Sequence, residues 1–235
     1  KGNKAALLDL NEEAAQRVAD KITAAGGVAK AYKCNVLDKA NIEDVHGKVL
    51  EDLGKCDILI NGAGGNNPRA TTDHETYQPG DIDADTKSFF DLDADGVSFV
   101  FNLNFLGTLL PTQAFAAQMV GRPGCSILNI SSMNAFTPLT KIPAYSGAKA
   151  AISNFTQWLA VHFAPAGIRV NAIAPGFIQT DMTKGFDETN PLVASIPLKR
   201  MGTPADIASL AAFLAGPGAA YITGQVFCVD GGMAM

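Results

Sequence analysis

Positive charge is scarce in this chain. Its 235 residues hold 18 Lys and Arg against 23 Asp and Glu, a formal net charge of −5. Such a balance presents no basic face to a nucleic acid or an anionic membrane, so neither is expected as a partner. Charge of either sign is sparse at 17%, while hydrophobic residues reach 47%. That excludes a disordered chain and leaves enough apolar surface for a sizeable core. No apolar run approaches the length of a membrane span, and the N-terminus does not read as a signal peptide. Cys34, Cys56, Cys125 and Cys228 stand far apart with no CxxC pair, and His46, His74 and His162 have no paired spacing. No metal site is expected from them. The thiols read as buried groups of a reducing compartment, so a cytoplasmic protein is expected.

Short apolar runs recur, bounded by Gly, Asn, Asp or Pro: 4–10, 29–36, 56–64, 125–132, 168–176 and 224–232. Runs such as "CDILI" and "CSILNI" do not alternate polar with apolar residues. Strands buried on both faces of a parallel sheet read this way. Helical patterns lie between them, at about 11–25, 39–53, 95–120, 143–164 and 204–215. The alternation predicts an α/β fold, a doubly wound parallel sheet in three layers with right-handed crossovers, forming one domain over 1–235. Asn11 suits an N-cap, Pro143 a first helical turn, and Pro165 with Gly167 a helix end.

One further absence concerns the start. A dinucleotide-binding sheet opens with a strand, a Gly-rich turn and a helix. Here Lys1-Gly2-Asn3-Lys4 reads like the tail of such a helix, and 4–10 like the second strand. The missing unit is on the order of thirty residues. Losing that central strand would open the core, so residues before Lys1 are expected to have gone unrecorded.

Several residues carry chemistry. Asp9 ends a strand, where an acid accepts hydrogen bonds from adenosine ribose hydroxyls and repels a 2′-phosphate; NAD is expected over NADP. Asn61, Gly62, Ala63 and Gly64 follow "CDILI", and small residues there let the backbone approach a ligand. Tyr145 and Lys149 are four residues apart in a predicted helix and share a face. A free phenol titrates near about 10. A nearby ammonium favours the phenolate, so Lys149 is expected to lower the Tyr145 pKa and let it trade protons near neutrality. Ser132, ending the strand before, can hydrogen-bond the same reacting oxygen.

"NGAG", "NFLG", "NISS", "YSGAK", "PGFIQT" and "VDGG", in that order, resemble the short-chain dehydrogenase/reductase family across essentially the whole chain. The resemblance implies a Rossmann-type fold, a nicotinamide cofactor and a catalytic tetrad of Asn104, Ser132, Tyr145 and Lys149. It further implies that Lys149 holds the nicotinamide ribose and that Asn104 anchors a water linking Lys149 to solvent. Pro175, Gly176, Ile178 and Thr180 would lie over the nicotinamide, with Ile178 and Thr180 touching its carboxamide. Asn35 and Val36 fall beside the adenine. Longer stretches, among them "FFDLD" and "NLNFLGTLLPTQ", look like the bacterial D-mannonate oxidoreductase (fructuronate reductase) branch, with looser similarity to gluconate 5-dehydrogenases. A homotetramer, with the Trp158 helix and the "VDGG" end at subunit contacts, is implied as well.

Departures from the family pattern are informative. "NGAG" replaces the commoner "NNAG", and Asn35 stands where the family often has Asp. The loop at about 66–88 is long, polar and turn-rich, and is expected to cap the substrate. A sugar acid needs a cation or several donors for its carboxylate. Arg69, Lys141 and Lys184 are candidates, with Asn134, Thr137, Ser132 and Tyr145; His74 is the one histidine placed within reach. The expected activity is NAD-dependent hydride transfer to or from a small-molecule sugar-acid ketone or alcohol, D-fructuronate and D-mannonate first. Rivals are a gluconate 5-dehydrogenase-like or other polyol reductase, and a non-catalytic dinucleotide-binding sensor.

Overall fold

In the computed structural model, which describes residues 2–83, 85–185 and 190–234 apart from the Met182 side chain, strands and helices alternate. First come β1 (Lys4–Asp9), α1 (Glu12–Ala24), β2 (Val28–Lys33), α2 (Lys39–Leu53) and β3 (Ile58–Asn61). Beyond the long loop lie α3 (Ala94–Phe101), α4 (Gly107–Ala116), β4 (Ser126–Ile130) and α5 (Pro143–Phe163). Next are β5 (Arg169–Pro175), the short α6 (Pro191–Ser195), α7 (Pro204–Ala215) and β6 (Val226–Val229). Two residues that entered the sequence expectations, Lys1 and Ala84, lie outside the described residues.

All ladders between these strands are parallel. They form two sheets rather than the single one expected: β1 beside β2, and β3-β4-β5-β6 in that order. Among the described residues no ladder joins β1 to β3. Ile60, inside the apolar run of β3, is 53% exposed.

The unalternating run of β4 follows from cover on both faces. Ile127 packs with Met119, Leu159 and Val170, on the α5 side. Leu128, its neighbour, packs with Ile173 and Leu214 on the α7 side. Both are fully buried, and each burial stabilises by roughly 1.5–3 kcal/mol. Truncating Ile127 to Ala should cost about 2–5 kcal/mol through lost transfer energy and a cavity. Tyr32, Val45, Val49 and Phe115 form a second cluster that joins β2 to α2 and α4. The result is the expected three-layer α/β arrangement.

The helix ends follow their chemistry. Asn11 accepts a hydrogen bond from the Ala14 N–H at the start of α1. Pro143 opens α5, and Gly167, at φ 76°, supplies the left-handed residue just past its closing turn. The helix expected over 95–120 is broken. A π-helical turn at Asn102–Leu106 separates α3 from α4, and Pro111 lies inside α4. A π turn inserts a residue and re-aims its neighbours; Asn104, within it, is completely buried. Among the described residues, no helix is long and apolar enough to cross a membrane, and no His/Cys/Asp/Glu group could hold a metal.

Candidate active site

β4 ends at Ile130, and Ser131 and Ser132 carry the chain off the sheet. Ser132 is 8% exposed and starts a short 3₁₀ turn, its Oγ accepting from the Asn134 N–H at 3.2 Å. α5 then packs back against that turn, and its one-turn spacing puts Tyr145 and Lys149 on the face that returns to Ser132. The Tyr145 phenol hydrogen-bonds with the Ser132 side chain. Lys149 Nζ lies 5.5 Å from the centre of the Tyr145 ring and donates to the Ile130 carbonyl at 2.8 Å.

Asn104 enters from the π turn. Its Nδ2 donates to the Gly65 and Val100 carbonyls, both at 2.8 Å, and its Oδ1 accepts from the Gly65 N–H at 3.3 Å. Gly64 sits between the two arms of the site. A Cβ there would stand 2.6 Å from Asn104 Oδ1 and 3.2 Å from Lys149 Nζ. Only glycine lets β3's outgoing backbone pass this close. The four tetrad positions therefore converge at the carboxyl ends of β3 and β4, the edge at which open α/β sheets bind ligands.

Electrostatically the site departs from expectation. Burial is the larger influence on Tyr145 and raises its pKa, while the Ser132 hydrogen bond pulls it down by less. Lys149 does not set the direction: burial lowers its own pKa to about 8, so its charge is lost before the phenol ionises. Burial lowers Lys149 from 10.5 to about 8. Both shifts have one cause, the removal of water from a charged form. The phenol thus stays protonated at neutrality, as a proton donor must.

The other expected residues divide. Asp9 is exposed at the end of β1, with Oδ1 accepting from the Asn11 N–H at 2.8 Å. Asn35 is exposed and its Oδ1 accepts from the Leu37 N–H; Val36 is half-buried against Gly107. Gly62 faces open space, and Ala63 is half-buried. Pro175 closes β5, and Gly176 lies against Asp230. Ile178 bridges to Gly202, and Thr180 caps a turn through Thr183. Asn134 is 4% exposed beside Ser132, and its Oδ1 is buried without a hydrogen-bond partner.

Four of the expected residues are engaged within the protein. The side chain of Asn61 is turned into the core, donating to Thr112 Oγ1 and Asn129 Oδ1, each at 2.9 Å; its donors are unavailable to a ligand. Arg69 is paired with Asp93 at 3.4 Å, so its charge is already partnered. Lys184 is paired in the same way with Asp181 at 2.6 Å. His74 bonds Asp81 at 3.0 Å within the long loop, where Asp81 is 6% exposed and also accepts from the Gln78 N–H. That loop is fastened over the segment between Ser132 and Tyr145. Thr72 N–H donates to the Lys141 carbonyl at 2.9 Å, and Thr140 Oγ1 donates to Glu75. Ala70 packs with Ala144, Ala148 and Tyr145.

Sequence reading missed the hydroxyls that hold this site. Thr108 and Thr112 bond back to the carbonyls of Asn104 and Thr108, at 2.9 and 2.7 Å. Asn129 donates to Thr156 at 2.9 Å. Their i−4 spacing within a helical pattern is the signal that was available.

Known proteins share this architecture. A family model described as Enoyl-(Acyl carrier protein) reductase matches residues 1–234. An uncharacterized oxidoreductase of Haemophilus influenzae is 56% identical over 237 residues, covering 97% of this chain and 83% of that protein. The uncharacterized oxidoreductase UxuB of Bacillus subtilis is 44% identical over 241 residues, covering 98% and 86%. A crystal structure from Haemophilus influenza, provisionally named a D-mannonate oxidoreductase and holding NAD, is 54% identical with a TM-score of 0.93; the match covers 98% of this chain and 86% of that one. On its fold, its ordered motifs and these relatives, the chain belongs to the short-chain dehydrogenase/reductase family of oxidoreductases acting on CH–OH groups.

Proposed function

We propose that this enzyme uses NAD to interconvert the ketone and secondary alcohol of a sugar acid, with D-fructuronate and D-mannonate as the pair. The observation that carries the reaction is the convergence of Asn104, Ser132, Tyr145 and Lys149 around Gly64. The substrate rests on the name given to the 54% identical structure, and the cofactor on the NAD that structure holds.

The residues present fit such a cofactor at two points. An ammonium has three donors. Lys149 commits one to Ile130, and the other two have no partner among the described residues although the side chain is buried. They suit a ribose diol beside Gly62 and Ala63. Asp9 keeps one carboxylate oxygen without a partner among the described residues, which suits the adenosine ribose and disfavours a 2′-phosphate. Pro175, Gly176, Ile178 and Thr180 would flank the nicotinamide, and Asn35 and Val36 the adenine. When bound, the reduced cofactor supplies a hydride to the carbonyl carbon.

The chain's own residues handle the proton. Ser132 Oγ accepts from Asn134 N–H, and its own proton, shared with the Tyr145 phenol, can turn to the substrate oxygen. Tyr145 donates its phenolic proton to that oxygen as charge develops. Lys149 sits beside the ring and stabilises the phenolate left behind. Asn104, fixed by three hydrogen bonds, supports the return of a proton from water. Asn134 Oδ1, buried and unpartnered, is positioned to accept from a substrate hydroxyl. The raised Tyr145 pKa keeps the phenol protonated at neutrality, ready to donate when the ketone is reduced. The loop at 66–88 serves as the cap over this cleft.

The same reading includes a cytoplasmic homotetramer. Its support is the exposed apolar face of α5, with Trp158 at 55% and Val161 at 79% exposure, and four free cysteines. The test is NADH oxidation with a panel of keto-sugar acids. Turnover of D-fructuronate well above 5-ketogluconate is expected; turnover of neither, with a different ketone preferred, would overturn the substrate.

A further inference from the structure

Two hydroxyls behind the site, Ser131 buried and Ser153 half-buried, have no role in the proton path, and the first ties its lysine to the sheet. Ser131 is 2% exposed. Its N–H donates to the Ile173 carbonyl at 2.8 Å, which continues the β4–β5 ladder one residue further. Its Oγ donates to the backbone carbonyl of Lys149 at 3.1 Å and lies 2.7 Å from Ser153 Oγ. Ser153 Oγ itself donates to that carbonyl at 3.2 Å. The preceding residue, Ile130, receives the ammonium of the same lysine at 2.8 Å. The following residue, Ser132, bonds the Tyr145 phenol.

Three consecutive residues thus grip α5 at three points: the lysine head, the lysine backbone and the tyrosine hydroxyl. The head and the hydroxyl are the reacting groups. The backbone contact is the one that fixes where α5 starts them from. A helix can roll or slide along its axis by a fraction of a turn at little expense to apolar packing. In the cluster around Tyr145 the residues outside α5 are Ala70, Val97 and Val100, short side chains that resist such motion weakly. A hydrogen bond from the sheet to a helix carbonyl resists it directly, because bond strength falls steeply with misalignment.

We propose that Ser131 is a positioning residue: its hydroxyl locks the Lys149 backbone to the end of β4 and thereby sets the register of Tyr145 and Lys149 against Ser132. This rests on the reading of Tyr145 as the proton donor. Ser131 touches neither substrate nor cofactor in this account. Its effect passes through Lys149, and it belongs to turnover rather than to binding.

The test compares Ser131→Ala and Ser131→Thr with the wild type, using whichever ketone the wild type reduces. Ser131→Ala should lower kcat by about tenfold to a hundredfold, the penalty of a misplaced catalytic group, with the KM for the ketone within about twofold. In the oxidative direction its pH–rate midpoint should move upward, because a displaced Lys149 regains water and its burial-lowered pKa rises. Ser131→Thr keeps the hydroxyl and should recover most of kcat and return the midpoint. An unchanged kcat and midpoint in Ser131→Ala with only a lowered Tm would overturn the proposal, as would a Thr variant no better than the Ala variant. Should Ser131→Ala not fold, Ser131→Thr and Ser131→Cys carry the test, and equal activity in both contradicts it. Tyr145→Phe, run alongside, separates the two readings. If that variant is active, the proton donor is misassigned. If it is inactive while Ser131→Ala is unimpaired, the positioning role alone fails.

Discussion

Replacing Lys149 by Met should make the protein more stable and catalytically dead. Lys149 is 4% exposed, and burial lowers its pKa from 10.5 to about 8. A fall of that size, at about 1.36 kcal/mol for each pH unit, corresponds to about 3 kcal/mol against the protonated lysine in the fold. The hydrogen bond to the Ile130 carbonyl offsets about 1 kcal/mol of this. Met fills a similar volume and carries no charge, so the net gain at pH 7 is about 2 kcal/mol. For a chain of this length that is about 4–8 °C in Tm. The pH dependence follows from the sign. Lysine in the fold has the lower pKa, so between about 8 and 10.5 the unfolded chain holds more protons, and wild-type stability rises with pH. The variant's advantage should therefore be full below pH 8 and shrink across that window. Above it the sign should reverse, leaving the variant about 1 kcal/mol less stable through the lost hydrogen bond. Thermal or urea unfolding of both proteins at pH 7 and pH 10.5, without cofactor, reads this out. A variant that is less stable at pH 7, or a difference that does not change with pH, refutes the argument that burial, rather than pairing, governs this group.

Three further outcomes are expected. Gly64→Ala places a methyl 2.6 Å from Asn104 Oδ1 and 3.2 Å from Lys149 Nζ; steady-state assays should show kcat down by at least about tenfold, from displacement of both groups. Deleting 67–86 removes the Thr72 and Glu75 contacts to the Lys141 and Thr140 segment; the KM for the sugar acid should rise far more than the KM for NAD, and equal small effects would remove the cap from the account. Trp158→Glu puts a charge on the stacked Phe155–Trp158–His162 face of α5; light scattering should report a smaller assembly than the wild type.

The limits of α2 and α7 and the start of α5 could be read from residue pattern, because caps and prolines mark them locally. So could the pairing of Tyr145 with Lys149, since one-turn spacing is a property of any helix. The break at Asn102–Leu106 could not. Around it Asn104 and the Thr108 hydroxyl bond the Val100 and Asn104 carbonyls, and such polar residues leave no periodic apolar signal. The turn of the Asn61 side chain into the core could not be read either, because a four-residue strand does not reveal which face its last side chain takes; the partners Thr112 and Asn129 lie 51 and 68 residues away. Lysine's influence on the phenol was overestimated for a related reason. Sequence spacing places a charge near a ring, but it is burial that decides how much either group is willing to ionise.

Tyr145→Phe tests the central claim most directly, with NADH binding and NADH oxidation by D-fructuronate followed on the same samples. The phenol is the only group in this account that hands a proton to the substrate oxygen. NADH should bind the variant with wild-type affinity while turnover falls by orders of magnitude. Turnover near the wild-type rate would contradict the assignment.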